Sequence, residues 1–359
     1  MTPPTSATSA TSAATSAATA DGSDGSHGST SVRRGPGRRA ATVPRLAVGL
    51  AGLGHALPAH RVTNHDLAAH LDTDHAWIVG RTGISARRVA GRADTTTALA
   101  TRAADAALAD AGVAASAVDL VVVATATPDS SCPSTAARVC AELGLRAGGY
   151  DVNAACCGFV YALHGATALL ADSLGTVLVI GADRFTTLTD PSDRGTAVLF
   201  GDGAGALVVR RAERRPGAPG VLGSDVGGDP RTLGVIEQPP GERYLTMDGP
   251  DLFRRATRGM VASAAAALDR AGVAPGDVDL FVPHQANARI IGAAADRLGV
   301  DPARVVVDVA ERANTSAASI PLALHAARAD GRLADGATVL LSSVGAGLGW
   351  ASLVLRWGR

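Results

Sequence analysis

The sequence predicts an α/β protein in which two related halves stack as a five-layered α/β/α/β/α sandwich. Three observations carry that prediction. The chain contains an internal duplication; short β-branched runs alternate with long Ala-rich stretches; and those stretches offer small side chains, which let a helix lie between two sheets.

The duplication is direct. "ALADAGVAASAVDLVV" (107–122) matches "ALDRAGVAPGDVDLFV" (267–282) at ten of sixteen positions, 160 residues apart. "ALHGA" (162–166) returns as "ALHAA" (323–327), "TVLVI" (176–180) as "TVLLS" (338–342), and "GAGALVV" (203–209) loosely as "GWASLVL" (349–355). Order is kept at nearly constant spacing, with offsets of 160, 161 and 162 for the first three pairs and 146 for the loose fourth, which means a duplicated half of about 160 residues and not a short-period solenoid. The halves are expected over 43–220 and 221–359, meeting about a pseudo-twofold axis with a crevice between them.

The elements follow in order. Residues 1–42 are rich in Ser, Thr, Ala and Gly, with almost no large apolar residue and no apolar run of a signal peptide. A disordered, low-complexity tail is expected there, its four arginines (Arg33, Arg34, Arg38, Arg39) solvated. "ATRAADAALADAG" (100–112) is helix-prone and ends at Gly112, and "DLVVVATAT" (119–127) is a buried strand. "GGYDVNAACCGFVYALHGATALLADSLG" (148–175) starts as a strand and becomes a helix, with Phe159, Leu163, Ala166 and Leu170 on one face. "VLVIGA" and "ALVVRR" are further strands. In the second half "MVASAAAALDRAG" repeats the long helix, a strand runs to His284, another strand leads to Asn314 just before a helix, and two strands close the chain. The alternation predicts mainly parallel sheets.

Composition excludes several classes. With 33 basic and 33 acidic residues the formal net charge is zero, which argues against a dedicated nucleic-acid binder. No run of 18 apolar residues exists, so no transmembrane helix and no membrane partner are expected. Cys132, Cys140, Cys156 and Cys157 form neither a pair of C-x-x-C motifs nor a disulfide framework, so no metal site and a reducing, cytoplasmic location are expected. "GDGAGA" (201–206) fits a dinucleotide-binding pattern, but that motif needs a following helix and "LVVRR" reads as a strand. His55, His60, His65, His70 and His75 recur every five residues. Five residues turn a helix by about 500°, so these side chains cannot share one metal on one face.

Three residues stand out for chemistry. Cys156 falls at a strand-to-helix turn, where unpaired N–H groups and the macrodipole favour a thiolate. Taken alone, the position fits equally a small buried core cysteine. His284 in "DLFVPHQANAR" directly follows a buried strand, at the sheet end where α/β proteins carry their sites. Asn314 alone would read as a helix N-cap. All three lie just past strand ends, split across the two halves.

Together, "DVNAACCGF", "VPHQANARI", "NTSAASIP", "DPSDRGT" with "FGDGAGA", and "WIVGRTGISARR" resemble β-ketoacyl-acyl carrier protein synthase III of the thiolase superfamily. The motifs occur in that family's order, and the similarity covers essentially everything after the tail. The resemblance implies that Cys156 is the nucleophile and that Cys157 occupies a position usually held by a small residue. It implies a decarboxylative Claisen condensation: Cys156 takes an acyl group from an acyl-CoA primer, and malonyl-acyl carrier protein then loses carbon dioxide. Neutral His284, through Nε2, and Asn314 would donate hydrogen bonds to the enolate-like oxygen, while the N–H groups of Cys156 and Ala346 would form the oxyanion hole beside Gly345 and Gly347. The resemblance further implies coenzyme A contacts at Trp77, Arg81 and Arg194, carrier-protein contacts at Gln285 and Arg289, and Asn287 holding the loop around His284. It implies a homodimer and no metal, nucleotide or redox cofactor.

Two departures concern the acyl pocket. Cys132 stands where acetyl-specific members carry a Phe, which implies room for a larger or branched primer, each extra buried methylene offering about 0.8 kcal/mol. Val344 and Leu348 stand where Phe is usual. The rival reading is a same-fold acyltransferase that passes an acyl group from Cys156 to an alcohol or carrier protein without decarboxylation.

Overall fold

The computed structural model describes residues 46–359 except 214 and 216; the tail expected over 1–42 lies outside the described residues. The first repeat runs β1 (Leu46–Ala56), β2 (Arg61–Thr63), α1 (Asn64–Ala68), α2 (His75–Thr82), β3 (Ala86–Arg88), α3 (Thr96–Ala111), β4 (Leu120–Ala124), α4 (Thr135–Glu142), β5 (Gly148–Val152), α5 (Gly158–Asp172), β6 (Thr176–Arg184), α6 (Arg194–Ala197) and β7 (Asp202–Arg211). The second runs β8 (Gly220–Gly228), β9 (Ile236–Glu237), β10 (Thr246–Met247), α7 (Gly249–Ala271), β11 (Leu280–Pro283), α8 (Ala288–Leu298), α9 (Val309–Arg312), α10 (Ser319–Ala329), β12 (Thr338–Gly345) and β13 (Gly349–Arg356).

Period-two burial along the strands builds the five layers. Inward residues of both repeats (Val122 and Val179; Val282 and Leu341) pack with α5 and α10 in one central core. The alternate residues Val121, Val123, Leu178 and Ile180 face α3 and α4 on one outer side. Phe281, Leu340 and Val354 face α7 and α8 on the other. This is the α/β/α/β/α sandwich that the sequence predicts.

The strands join as β11-β12-β13-β8-β1-β7-β6-β4-β5. Two residue pairs, Leu46↔Val221 and Ala47↔Gly220, link the two repeats' portions at β1 and β8. The expectation of mainly parallel sheets is corrected. β4 pairs parallel with β5 and β6, and β11 with β12, while β1–β7, β6–β7, β12–β13, β8–β13 and β1–β8 are antiparallel. The β12–β13 link spans only Ala346–Leu348, too short for the crossover that a parallel pair requires.

The duplication extends into backbone detail. α3 and α7 both end at a left-handed glycine, Gly112 (φ 61°) and Gly272 (φ 65°). A β-carbon at Gly52 would fall 2.4 Å from the Ala107 carbonyl oxygen, and one at Gly223 would fall 2.4 Å from that of Ala267. Each repeat therefore presses its long helix onto a bare position of its first strand. Among the described residues, no helix is long and apolar enough to cross a membrane.

Candidate active site

Cys156 lies in a 3-10 turn, Ala155–Cys157, between β5 and α5. The turn is tight: Ala155 adopts φ 45°, and the Cys157 N–H donates to the Ala154 carbonyl at 3.0 Å. Cys156 is 7% exposed. Burial pushes its thiol up to about 12, with the Ser316 hydroxyl opposing and the Asp183 carboxylate adding to the rise. Desolvation thus opposes the thiolate that the helix N-terminus is expected to favour. Cys157 is buried, its Sγ–H pointing to the Gly349 carbonyl at 3.1 Å.

His284 follows β11, and its N–H donates to the Ser342 carbonyl at 2.8 Å. Its ring is buried, with Nδ1 2.6 Å from Ser319 Oγ, and burial pushes its pKa down to about 3, which keeps it neutral. Asn314 is not preceded by the expected strand. Val305 makes one isolated bridge to Phe281, and the chain then forms the short α9 before Ala313 turns at φ 58°. What fixes Asn314 is the first repeat: its N–H donates to the Leu199 carbonyl at 2.9 Å, and its carbonyl accepts from the Gly201 N–H at 3.0 Å. Its side-chain Oδ1 accepts from the Ser316 N–H at 2.9 Å, which leaves the carboxamide NH2 as the outward donor. A β-carbon at Gly201 would sit 2.5 Å from the Arg312 carbonyl oxygen, so this approach needs glycine there.

Cys156, His284 and Asn314 line one cavity of about 480 Å³. Its walls include buried Phe200 and Val344, the Gly345–Ala346 backbone, half-buried Trp77, and exposed Arg81 and Arg289. Gly345 presses on the cysteine turn: a β-carbon there would lie 2.9 Å from the Cys156 nitrogen. Among the described residues no group of three or more His, Cys, Asp or Glu is placed to hold a metal.

Residues 150–230 match the model of 3-oxoacyl-[acyl-carrier-protein] synthase III, and 268–357 match the model of that enzyme's C-terminal region. The chain is 47% identical over 321 residues to a β-ketoacyl-[acyl-carrier-protein] synthase III of Streptomyces coelicolor, covering 89% of this chain and 96% of that relative. The chain belongs to the β-ketoacyl-[acyl-carrier-protein] synthase III family. The structure of the 3-oxoacyl-[acyl-carrier-protein] synthase III of Aquifex aeolicus superposes with a TM-score of 0.84 at 40% identity, over 86% of this chain and 100% of that one. The priming β-ketosynthase of the R1128 polyketide pathway superposes with a TM-score of 0.82 at 37% identity, over 88% and 97%.

The other residues singled out by the family motifs are divided between the cavity wall and its surroundings. Gln285 cannot meet a carrier protein: it is 2% exposed, its Nε2 donates to the Pro283 and Val306 carbonyls, and its Oε1 accepts from the Asp308 N–H. Its amide is spent holding the loop behind His284. Arg289 is exposed over the Phe253 ring, 5.5 Å from its centroid. Asn287 caps α8 through the Arg289 N–H and donates to the Arg81 carbonyl at 3.1 Å, tying the His284 loop to α2. Arg81 and Arg194 stand 5.3 and 4.8 Å from the Trp77 ring centroid. Arg194 pairs with Asp72 and not with Asp190 or Asp193. Cys132 is exposed on the loop after β4 and does not line the cavity of this single chain, whereas Val344 does.

Two residues next to the site went unread in the sequence. Ser319 meets the His284 ring across 35 positions, and nothing local announces it. Asp183, at the end of β6, is fully buried. Its Oδ1 accepts from Thr125 Oγ1, the Ala126 N–H and Thr127 Oγ1, and its Oδ2 accepts from the Ala317 N–H at 3.1 Å. Burial raises its carboxyl above the usual range. A lone Asp closing the apolar strand "TVLVIGAD" is the signal that was available.

Proposed function

We propose that this chain is an acyltransferase of the condensing type, joining an acyl-CoA primer to malonyl-acyl carrier protein through an acyl-Cys156 intermediate. One observation carries the reading: a thiol from the first repeat and two neutral hydrogen-bonding side chains from the second share one cavity. Cys156 Sγ attacks the primer carbonyl, coenzyme A leaves, and the thiol proton passes to the departing sulfur. The N–H groups of Cys156 and Ala346 hold the tetrahedral oxyanion. In the second half-reaction the malonyl carboxylate leaves as carbon dioxide. Its electron pair becomes an enolate whose oxygen takes hydrogen bonds from His284 Nε2–H and the Asn314 NH2. The carbanion then attacks the acyl-Cys156 carbonyl, the β-ketoacyl thioester departs on the carrier, and the Cys156 thiolate regains a proton from water. A neutral histidine suits this step, because the developing charge needs a donor and not a base.

Trp77, Arg81 and Arg194 then receive coenzyme A at the open end, and exposed Arg289 receives the acidic carrier. Edge strand β5, with Tyr150 40% exposed, supports a second copy docking there and bringing Cys132 to the partner's acyl pocket. The four free cysteines are in keeping with a reducing compartment. The test is single-turnover: the acyl-enzyme, formed from acyl-CoA, is mixed with carboxyl-labelled malonyl-acyl carrier protein. Equal amounts of β-ketoacyl product and carbon dioxide are expected. Asn314→Ala should slow carbon dioxide release by roughly 10²-fold while Cys156 still acylates. An acyl-enzyme that passes its acyl group on with no carbon dioxide would replace this reading with the non-decarboxylating transferase.

A further inference from the structure

The far side of the His284 ring carries a contact that the proposed chemistry does not use. His284 Nδ1 lies 2.6 Å from Ser319 Oγ, and both residues are 2% exposed. The same oxygen lies 3.4 Å from the Gln285 nitrogen. A backbone N–H can only donate, so Ser319 Oγ is the acceptor there. Its own single proton has one acceptor among its hydrogen-bond partners in the described residues, namely His284 Nδ1. The opposite arrangement, with a proton on Nδ1, would leave the serine O–H buried and unpaired, which folded proteins rarely tolerate. The proton of the neutral ring therefore sits on Nε2, and the hydrogen bond at one ring nitrogen dictates the state of the other.

The duplication sharpens this. Ser319 opens α10 where Gly158 opens α5, 161 residues earlier. At Gly158 a β-carbon would meet the Ala124 β-carbon at 3.1 Å, so the first repeat keeps the position bare. The second repeat places a hydroxyl there and turns it on the histidine. The Gln285 side chain, bonded to Pro283, Val306 and Asp308, holds the backbone N–H that orients that hydroxyl.

We propose that Ser319 is a positioning residue that locks His284 in the Nε2–H tautomer and thereby makes it a hydrogen-bond donor to the thioester oxygen of the malonyl substrate. The assignment of the substrate rests on the proposed function; the tautomer does not. The experiment uses the full chain with 15N-labelled histidine rings, the His284 signals being assigned by their loss in His284→Ala. In the wild type, Nε2 should show a protonated, pyrrole-type shift and Nδ1 an acceptor, pyridine-type shift. Ser319→Ala should mix the two tautomers. It should also slow carbon dioxide release from malonyl-acyl carrier protein by about tenfold, short of the roughly 10²-fold expected for deleting a donor. Acylation of Cys156 by acyl-CoA should stay within about twofold, because that step does not use His284 as a donor. Ser319→Thr, which keeps the hydroxyl, should restore both the shifts and the release. A wild-type ring protonated at Nδ1 overturns the proposal, even if no variant folds, and so does an unchanged tautomer in Ser319→Ala. The stated tautomer in an enzyme that never decarboxylates malonyl-acyl carrier protein would uphold the Ser319 contact and sink the condensing reading instead.

Discussion

Gly345→Ala is the sharpest test of how the site is built. Gly345 ends β12 against the turn that carries Cys156. A β-carbon there would lie 2.9 Å from the Cys156 nitrogen, 3.0 Å from the Cys157 nitrogen and 3.2 Å from the Ala154 carbonyl oxygen. All three are backbone atoms, so no side-chain rotation relieves the overlap. To regain ordinary contact the turn must retreat by roughly half an ångström. It has little freedom to do so, because Ala155 already sits at φ 45° and the Cys157 N–H is committed to Ala154. Overpacking of this kind costs about 1–3 kcal/mol, a loss of several degrees in Tm for a chain of this size. The larger effect falls on rate. A misplacement of ~1 Å at a reacting group costs ~100-fold, so half of that, moving both the sulfur and the proposed oxyanion donor, should slow acylation by about tenfold or more. The assay is quenched-flow acylation by acyl-CoA, read by mass spectrometry on the Cys156 peptide, beside a calorimetric Tm. A lowered Tm with wild-type acylation would refute the claim that Gly345 sets the position of the cysteine turn.

Three further outcomes follow from burial and contact. Desolvation holds the Cys156 thiol near 12, three units above its ordinary value and equivalent to about 4 kcal/mol, whereas a helix end offers at most ~2 kcal/mol the other way. Alkylation of the Cys156 peptide by iodoacetamide should therefore climb about tenfold per pH unit from about pH 6 to about pH 9 with no plateau; levelling off below about pH 9 would mean that the helix terminus prevails. Gly223→Ala forces a β-carbon to 2.4 Å from the Ala267 carbonyl oxygen and should cost about 3 kcal/mol or more in denaturant unfolding. Gly292→Ala, on the open face of α8 with nothing within 4 Å, should instead gain about 0.5–1 kcal/mol, and the same sign for both would contradict the packing described here.

What the sequence made legible was local or repeated. The duplication, the layered class and the placing of Cys156 and His284 past strand ends all follow from patterns of fewer than twenty residues or from their recurrence. What escaped was set by contacts between distant segments. Parallel pairing was over-predicted because the alternation of strands and helices does not reveal that three residues link β12 to β13. Gln285 looked like a surface group beside Arg289, yet its amide completes three hydrogen bonds to Pro283, Val306 and Asp308 in the interior. A strand was expected ahead of Asn314 from its Val-rich run. The chain there has one bridge to Phe281 and is then captured by Leu199 and Gly201, over a hundred residues away.

The two repeats, laid on one another, show how one turn was put to two uses. Ala155 (φ 45°) corresponds to Ser316 (φ 51°), Asn153 to Asn314, and Cys156 to Ala317, each 161 residues on. The strands that face these turns correspond at an offset of 162, which sets Asp183 of β6 against Gly345 of β12. In one combination Asp183 accepts the Ala317 N–H, so that turn is closed by a buried carboxylate. In the other Gly345 presses on the Cys156 nitrogen and brings no side chain to accept it. Under the proposed chemistry a carboxylate at Gly345 would set a negative charge where the oxyanion forms. The Ala317 turn thus has its N–H satisfied by a side chain of the facing strand, while the Cys156 turn meets only a bare glycine there, as the proposed oxyanion hole requires. Under the proposed function, what the second repeat omits opposite Cys156 matters as much as the sulfur itself.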